Sequence, residues 1–147
     1  MAKVLAVNSS EKKGVVKIPL EKGYFEPHCG LQGDAHSGDW HRMVSLLANE
    51  SIEKMKAKGL DHLKFGDFAE NITTEGVVVH ELPIGTILKI GEATMRITQI
   101  GKECHAGCAI RQQSGDCIMP KEGVFAEVLE AGWVKPGDLI VVASASE

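Results

Sequence analysis

Short runs of apolar and β-branched residues, most of them bounded by Gly or Pro, recur along the chain. Such runs predict β-strands, because branched side chains pack well on a pleated, half-buried surface. The clearest pair is Thr86–Ile90 and Thr94–Ile100, which Gly91-Glu92-Ala93 separates and which we expect to form a hairpin. The predicted strands are Lys3–Val7, Gly14–Ile18, Met43–Ala48, Asn71–Thr74, Thr86–Ile90, Thr94–Ile100 and Leu139–Val142.

Two segments have a helical rather than an alternating pattern. The first begins near Asn49, a candidate N-cap, presents Ile52 and Met55 on one face and ends at Gly59. The second is predicted from Gly123 to Ala131. Its apolar stripe consists of Val124, Phe125, Val128 and Leu129.

Many strands with two or three short helices predict a mostly β fold, built as a closed or partly open β-barrel. The regular strand–helix alternation of a doubly wound sheet is missing, which disfavours a Rossmann domain. The 147 residues contain no linker or internal repeat. We therefore expect a single domain over residues 1–147, with a loose tail only at 143–147.

Charge and hydropathy exclude several classes of partner. Sixteen basic against twenty acidic residues give a net charge of -4, and no basic run is interleaved with aromatics, so we expect no nucleic acid partner. No apolar stretch approaches the roughly 18 residues of a membrane span, and the start lacks a secretory signal pattern. We expect a cytoplasmic protein whose four cysteines are thiols, metal ligands or reactive groups rather than disulfides.

The densest group of reactive side chains lies between Lys102 and Cys117, directly after a predicted strand. Cys104, His105 and Cys108 are the candidate catalytic residues of this segment. A nearby cation or imidazole lowers the pKa of a thiol and so favours the thiolate, which is the form that attacks or binds a soft metal. The alternative is that both cysteines are small core residues, since free cysteine is often buried.

A zinc site would combine Cys104, His105 or Cys108, and Cys117 with Cys29. Its spacing is poor, because the short Cys-x-x-Cys knuckle is missing and three residues separate the first pair. We therefore do not expect zinc.

Two further polar segments have both a functional and a structural interpretation. The glycine-rich loop from Gly30 to Arg42 contains His36; it either lines a site or is a surface loop whose polar side chains satisfy local backbone groups. The segment from Gly66 to Thr73 contains Asn71, which either orients a ligand or belongs to a turn at the start of a strand. No hydrolase elbow, zinc-protease helix or phosphate loop occurs.

In this order, the three segments resemble the small stand-alone MOSC domains, the family named for the C-terminal domain of molybdenum cofactor sulfurase. The motifs of the first half are Gly33-Asp34-x-His36, Arg42 with the strand Val44–Ala48, Gly66-Asp67-Phe68-x-Glu70-Asn71-Ile72-Thr73 and Pro83-Ile84-Gly85-Thr86. Those of the second half are Gly101-Lys102-x-Cys104-His105-x-x-Cys108, Gly123-Val124-Phe125-Ala126 and Gly132-x-Val134-x-x-Gly137-Asp138. The resemblance covers nearly the whole chain.

The resemblance implies a β-barrel similar in shape to the β-barrel domain of pyruvate kinase. It also implies that this barrel holds the molybdenum cofactor (molybdopterin) through one cysteine near its mouth. Cys108 matches the metal ligand best, and Cys104 is the alternate. By the same match, the cofactor-binding residues are Arg42, Lys102 and Arg111 at the phosphate and His36, Ser45 and Asn71 on the pterin side.

The resemblance also implies what this chain takes from other proteins. It matches no pyridoxal phosphate desulfurase domain, so that cofactor is not expected here, and an electron-donor protein or a cysteine desulfurase would act in trans. Whether the chain forms a homo-oligomer is left open by the sequence.

Three functions remain open, of which the first two are implied by the resemblance and the third rests on the cysteines alone. The first is an oxidoreductase that reduces small N-hydroxylated substrates through molybdenum ligated by Cys108. The second is a sulfur or cofactor carrier in cofactor maturation, with a persulfide on Cys108 that Cys104 or Cys117 resolves. The third is a zinc-stabilised, non-catalytic binding module.

Overall fold

β-Strands are the main regular secondary structure of the computed structural model, which describes residues 2–10, 17–35, 37–40, 43–57, 59, 65–66, 68, 70–77, 79–101 and 123–144. The strands are β1 (Lys3–Ser9), β2 (Ile18–Leu20), β3 (Gly23–Glu26), β4 (Gly30–Leu31), β5 (Val44–Ala48), β6 (Ile72–Glu75), β7 (Ile87–Ile90), β8 (Ala93–Ile100), β9 (Val124–Glu130), β10 (Gly132–Val134) and β11 (Ile140–Ser144). One helix, α1 (Asn49–Lys56), and a 3-10 turn at Val79–Glu81 accompany them in this part of the chain. The predicted mostly β class is confirmed.

The strands form a large sheet and a small one. The large sheet has eight strands in the order β11-β7-β8-β9-β5-β6-β1-β2, and the small sheet has the order β10-β3-β4. The pair β5–β6 is parallel, and the other pairs are antiparallel. This mixed arrangement brings strands that are distant in sequence next to one another.

The large sheet curls into a partly open barrel. Leu139, which directly precedes β11, forms an isolated bridge with Lys3 of β1. Two backbone bonds support it, from Val4 N to Asp138 O at 2.8 Å and from Ile140 N to Ala2 O at 3.0 Å. The edge strand β11 thus meets β1, the strand next to the other edge, at one point without a continuous ladder, so the partly open alternative is the one observed.

Residues from alternating positions of β5 belong to two apolar cores. Val44 and Leu46 belong to the main core inside the curled sheet. Leu47 packs in a second core with Ile52 and Met55 of α1 and with Phe125 of β9, among others. Because both faces of β5 are covered, its whole sequence is buried.

One predicted helix is confirmed and the other is wrong. Helix α1 forms where expected, but its N-cap is Ala48, which has no capping side chain, and not Asn49. The segment predicted as a helix from Gly123 to Ala131 is β9, which pairs with β5 and β8. Its residues are buried on both faces of the sheet, so the apolar run has no strict alternation, and Val and Phe favour a strand. The expectation of two or three helices is therefore not met in the described residues.

The predicted hairpin is confirmed, with Ile90 paired to Ala93 across the turn Gly91–Glu92. The short strands β3, β4 and β10 were not predicted; they contain two to four residues each and are rich in glycine. Most of the predicted strand Gly14–Ile18 lies outside the described residues. In the part of the chain that the structure describes, no helix is both long and apolar enough to cross a membrane.

Candidate functional site

Asn71 joins three strands at the point where β6 begins. Its side-chain Oδ1 accepts from the backbone N–H of Ser45 at 3.0 Å and from the Ser45 hydroxyl at 3.2 Å. Its Nδ2 donates to the carbonyl of Asn8 at 3.3 Å. The side-chain amide therefore bonds to β5 on one side and β1 on the other, as a peptide group of a strand would.

The backbone of Asn71 makes a second set of bonds to the same two partners. Its N–H donates to Ser45 O at 2.9 Å and lies 3.0 Å from Ser45 Oγ, while its carbonyl accepts from Asn8 N at 2.7 Å. Asn8 and Asn71 are fully buried and Ser45 nearly so. The three residues form a rigid buried unit, which we call the amide bridge.

Glu70 is buried beside the amide bridge. Its Oε2 accepts from the hydroxyl of Thr73 at 2.7 Å and from the N–H of Gly66 at 3.0 Å. Its Oε1 has no hydrogen-bond partner within the described residues, and neither does Oδ1 of Asn8. Burial raises the pKa of the Glu70 carboxyl, although the bonds from Gly66 and Thr73 act in the opposite direction. Glu70 thus holds the turn at Gly66 against β6.

A buried ion pair continues the polar network beyond β1. Lys17 Nζ lies 2.7 Å from Asp34 Oδ1, and neither side chain is exposed to solvent. The same Asp34 oxygen accepts from the Ser9 hydroxyl and the Ser10 N–H, at 3.2 and 3.1 Å. Because a buried charge needs a partner, this pair fixes the start of the loop that leads to His36 and Arg42.

Gly66 connects Glu70 to the ion pair. Lys17 N donates to Gly66 O at 2.8 Å. Gly66 has φ +93, and a Cβ added there would lie 2.2 Å from the Lys17 carbonyl oxygen. Only glycine suits both this backbone conformation and this close approach.

Of the predicted site residues, the structure describes only Ser45 and Asn71, and it brings them into direct contact. The others lie outside the described residues: His36, Arg42, Lys102, Cys104, His105, Cys108 and Arg111. Cys117 also lies outside them. Within the described residues, no group of three or more His, Cys, Asp or Glu side chains is placed to hold a metal ion.

The two residues that flank the segment 102–122, which we call the cysteine segment, are in contact. Gly101 N donates to Gly123 O at 2.6 Å, so the chain leaves β8 and returns to β9 at one place. Ser45 pairs with Phe125, two residues after Gly123. With strands about 4.8 Å apart and a rise of about 3.3 Å per residue, Gly123 lies about 8 Å from Ser45. The described residues on either side of the cysteine segment, Gly101 and Gly123, therefore lie at one place on the side of β5 that pairs with β9.

Cys29 is the one cysteine that the described residues include. Burial raises the pKa of its thiol, and the neighbouring Glu26 carboxylate acts in the same direction. Both effects disfavour the thiolate, which is the form that binds metals.

Sequence reasoning did not identify Asn8 or Lys17 as part of this network. Asn8 follows the apolar residues of β1, and its position alone gives little indication that its side chain is buried and hydrogen-bonded. Lys17 gives no local signal, because a lysine is ordinarily exposed and its partner is far along the chain.

The buried ion pair predicts strong coupling between Lys17 and Asp34. Lys17→Met or Asp34→Leu alone should lower the free energy of unfolding by about 3 kcal/mol or more, because each leaves a buried charge unpaired. The double variant should recover much of this loss, since it leaves no buried charge. Urea unfolding of the four proteins measures the coupling.

The exposed pair Lys3–Glu75 provides the matched control, with an expected coupling below about 1 kcal/mol. Strictly additive losses at Lys17 and Asp34 would contradict the buried pairing.

Glu70 predicts a specific pH dependence of stability. Its pKa in the folded protein is raised above the ordinary 4.5, so the folded protein binds this proton more tightly than the unfolded chain. Wild type should therefore lose stability relative to Glu70→Gln as pH rises from about 4.5 through the folded pKa, by up to about 1.4 kcal/mol per pH unit. Urea unfolding from pH 4.5 to 8 measures this difference.

Glu75→Gln, five residues further along the chain at a half-exposed position, controls for the loss of one negative charge. If the free energies of unfolding of wild type and Glu70→Gln change with pH in the same way, burial does not raise the pKa of the Glu70 carboxyl.

Comparison with known proteins identifies the family. The model of the MOSC domain family matches residues 33–141. No curated protein matches the chain. Among solved structures, the YuaD protein from Bacillus subtilis superposes with a TM-score of 0.77 at 17% identity, covering 95% of this chain and 94% of that one.

Two YiiM structures are also similar. For YiiM from Geobacillus stearothermophilus the TM-score is 0.76 at 19% identity, with 98% of this chain and 76% of that chain covered. For YiiM from Escherichia coli the corresponding values are 0.69, 19%, 100% and 72%. At these identities the structures establish the fold alone. The family model spans most of the chain, so the chain belongs to the MOSC domain family.

Proposed function

We propose that this MOSC domain binds the molybdenum cofactor and reduces small N-hydroxylated substrates, with Cys108 as the protein ligand of molybdenum. The family is linked in general to this cofactor. The observation that supports the proposal most directly is the contact between Gly101 and Gly123. Gly123 is two residues before Phe125, which pairs with Ser45. The two residues that flank a segment with three of the chain's four cysteines are therefore in contact with each other, about 8 Å from the amide bridge.

The donor set suits the cofactor. A thiolate is a soft, strong donor for such a metal, and Lys102 and His105 lie close to the cysteines in sequence, where a positive charge favours the thiolate. Cys29, the pKa of whose thiol is raised, is poorly suited as a metal ligand. The buried oxygens Asn8 Oδ1 and Glu70 Oε1 are acceptors without a partner in the described residues. Their polarity is compatible with a pterin ring, which presents N–H donors.

The residues have distinct proposed roles. Arg42, Lys102 and Arg111 hold the cofactor phosphate, for which guanidinium and ammonium groups are the usual partners. His36 lies on the pterin side. Ser45 and Asn71 position the strands around the site as part of the amide bridge, because their polar atoms already bond to one another and to Asn8.

The reaction needs a supply of electrons. Reduction of an N-hydroxyl group to N–H consumes two electrons and two protons and releases water, and an electron-donor protein in trans supplies the electrons. The bound cofactor supplies the redox centre. His105, next to Cys104 in sequence, is the candidate to deliver a proton, because an imidazole titrates near neutral pH.

The proposal predicts which cysteine retains molybdenum. In protein from a host that makes the cofactor, Cys108→Ser should lose most of the bound molybdenum, because a hydroxyl is a much poorer donor than a thiolate. Cys104→Ser is the matched control and should retain it. Elemental analysis for molybdenum and zinc, together with reduction of an N-hydroxylated base, measures both effects.

Molybdenum retained in Cys108→Ser would contradict the ligand assignment. Absence of both metals, with sulfide released on reduction, would favour the sulfur carrier. Stoichiometric zinc that survives Cys108→Ser would favour the binding module.

A further inference from the structure

A groove with a volume of about 440 Å³ lies between β10 and the turn that joins β7 to β8. This volume is in the range of small-molecule sites. The groove adjoins Gly91 and Glu92, at the start of β8, whereas the cysteine segment follows the end of β8. Ala93 and Ile100 are about 23 Å apart at the usual rise per residue. The groove thus lies at the opposite end of β8 from Ile100, after which the cysteine segment begins.

Backbone contacts hold the walls of the groove. Gly91 N donates to Leu139 O and Glu92 N donates to Trp133 O, both at 3.1 Å. A Cβ on Gly132 would lie 2.3 Å from the carbonyl group of Glu92, so the two backbones are in close contact. Walls fixed in this way lose little freedom when a ligand binds, which favours affinity.

The apolar part of the groove centres on Trp133, which is 45% exposed. Tyr24 packs against its ring with centroids 5.1 Å apart. Lys22 Nζ lies 4.6 Å from the ring centroid. Leu139 and Val141 extend this surface and are 51% and 53% exposed. The indole is thus in contact with Tyr24 and Lys22, and together with Leu139 and Val141 it forms an exposed apolar lining of the groove, which is typical of binding surfaces.

The charges in the groove favour an anion. Asp138 is neutralised by Lys135, whose Nζ and backbone N–H both bond to its carboxylate, at 2.8 and 2.9 Å. Within the described residues, neither Lys22 nor Lys89 has an ion-pair partner. These two cations face only one other carboxylate of the lining, that of Glu92. The groove is therefore locally positive in a chain with a net charge of -4.

We propose that this groove is a second binding site, for an organic anion with a flat apolar body such as an aromatic carboxylate. The flat body packs against Trp133 and Val141, and the carboxylate pairs with Lys89 and Lys22. A neutral aromatic compound would lack the charge that pairs with Lys89 and Lys22, and a small inorganic anion would lack the flat surface that packs on Trp133. The groove therefore favours a ligand that has both features.

Titration with 2-naphthoate tests the proposal, with 2-naphthylmethanol as the neutral analogue and acetate as the anion alone. Calorimetry gives the Kd, and the indole N–H signal of a Trp40→Phe protein, in which Trp133 is the remaining tryptophan, reports the location. We expect saturable binding of 2-naphthoate that shifts the Trp133 signal, with the alcohol and acetate each at least about tenfold weaker.

Two variants and one control complete the test. Trp133→Ala should raise the Kd about tenfold, and Lys89→Gln, at an exposed position, should raise it several-fold and reduce its salt dependence. Lys56→Gln on α1 removes a charge elsewhere and should leave the Kd unchanged. No saturable binding, equal binding of the neutral alcohol, or a Kd unchanged in both groove variants would overturn the proposal.

Discussion

The amide of Asn71 is the interaction on which the described part of the site depends. Strand β6 begins between β1 and β5, and the side chain of Asn71, directly before its first residue, takes the place of a peptide group by accepting from Ser45 and donating to Asn8. All three residues are almost inaccessible to water, so any of these groups left unpaired costs about 1–3 kcal/mol. The bridge therefore fixes the relative positions of three strands and of the polar turn before β6.

Two further constraints depend on this bridge. The turn at Gly66 is held by Glu70 and by the Lys17 backbone, and the Lys17 ammonium in turn holds Asp34 at the start of the glycine-rich loop. Segments that are far apart in sequence are thus linked through buried polar contacts. On the other side of β5, the pairing of Ser45 with Phe125 places Gly123 about 8 Å from Ser45. Within the described residues, hydrogen bonds thus join the motif residues Asp34, Ser45 and Gly66 to Glu70 and Asn71.

The sequence predicted the elements whose signals are local. The β7–β8 hairpin has apolar runs on both sides of a glycine turn, and α1 has a clear apolar face. The pattern of residues 123–131 predicts a helix, whereas the segment is strand β9, because a strand covered on both faces shows no alternation of apolar and polar residues. Its partner β5 is distant in sequence, and the cysteine segment separates it from its other partner, β8. Asn71 was identified as a site residue through its motif. Its partner Asn8 and the pair of Lys17 with Asp34 depend on tertiary contacts, which no local pattern encodes.

The most direct test of the proposed molybdenum site is anomalous X-ray diffraction at the molybdenum edge from crystals of the cofactor-loaded protein. One strong peak is expected at bonding distance from Cys108 Sγ, on the side of the molecule where Gly101 and Gly123 meet, with the amide bridge intact. A peak bound to other residues, or at the groove next to Trp133, would contradict the proposed site.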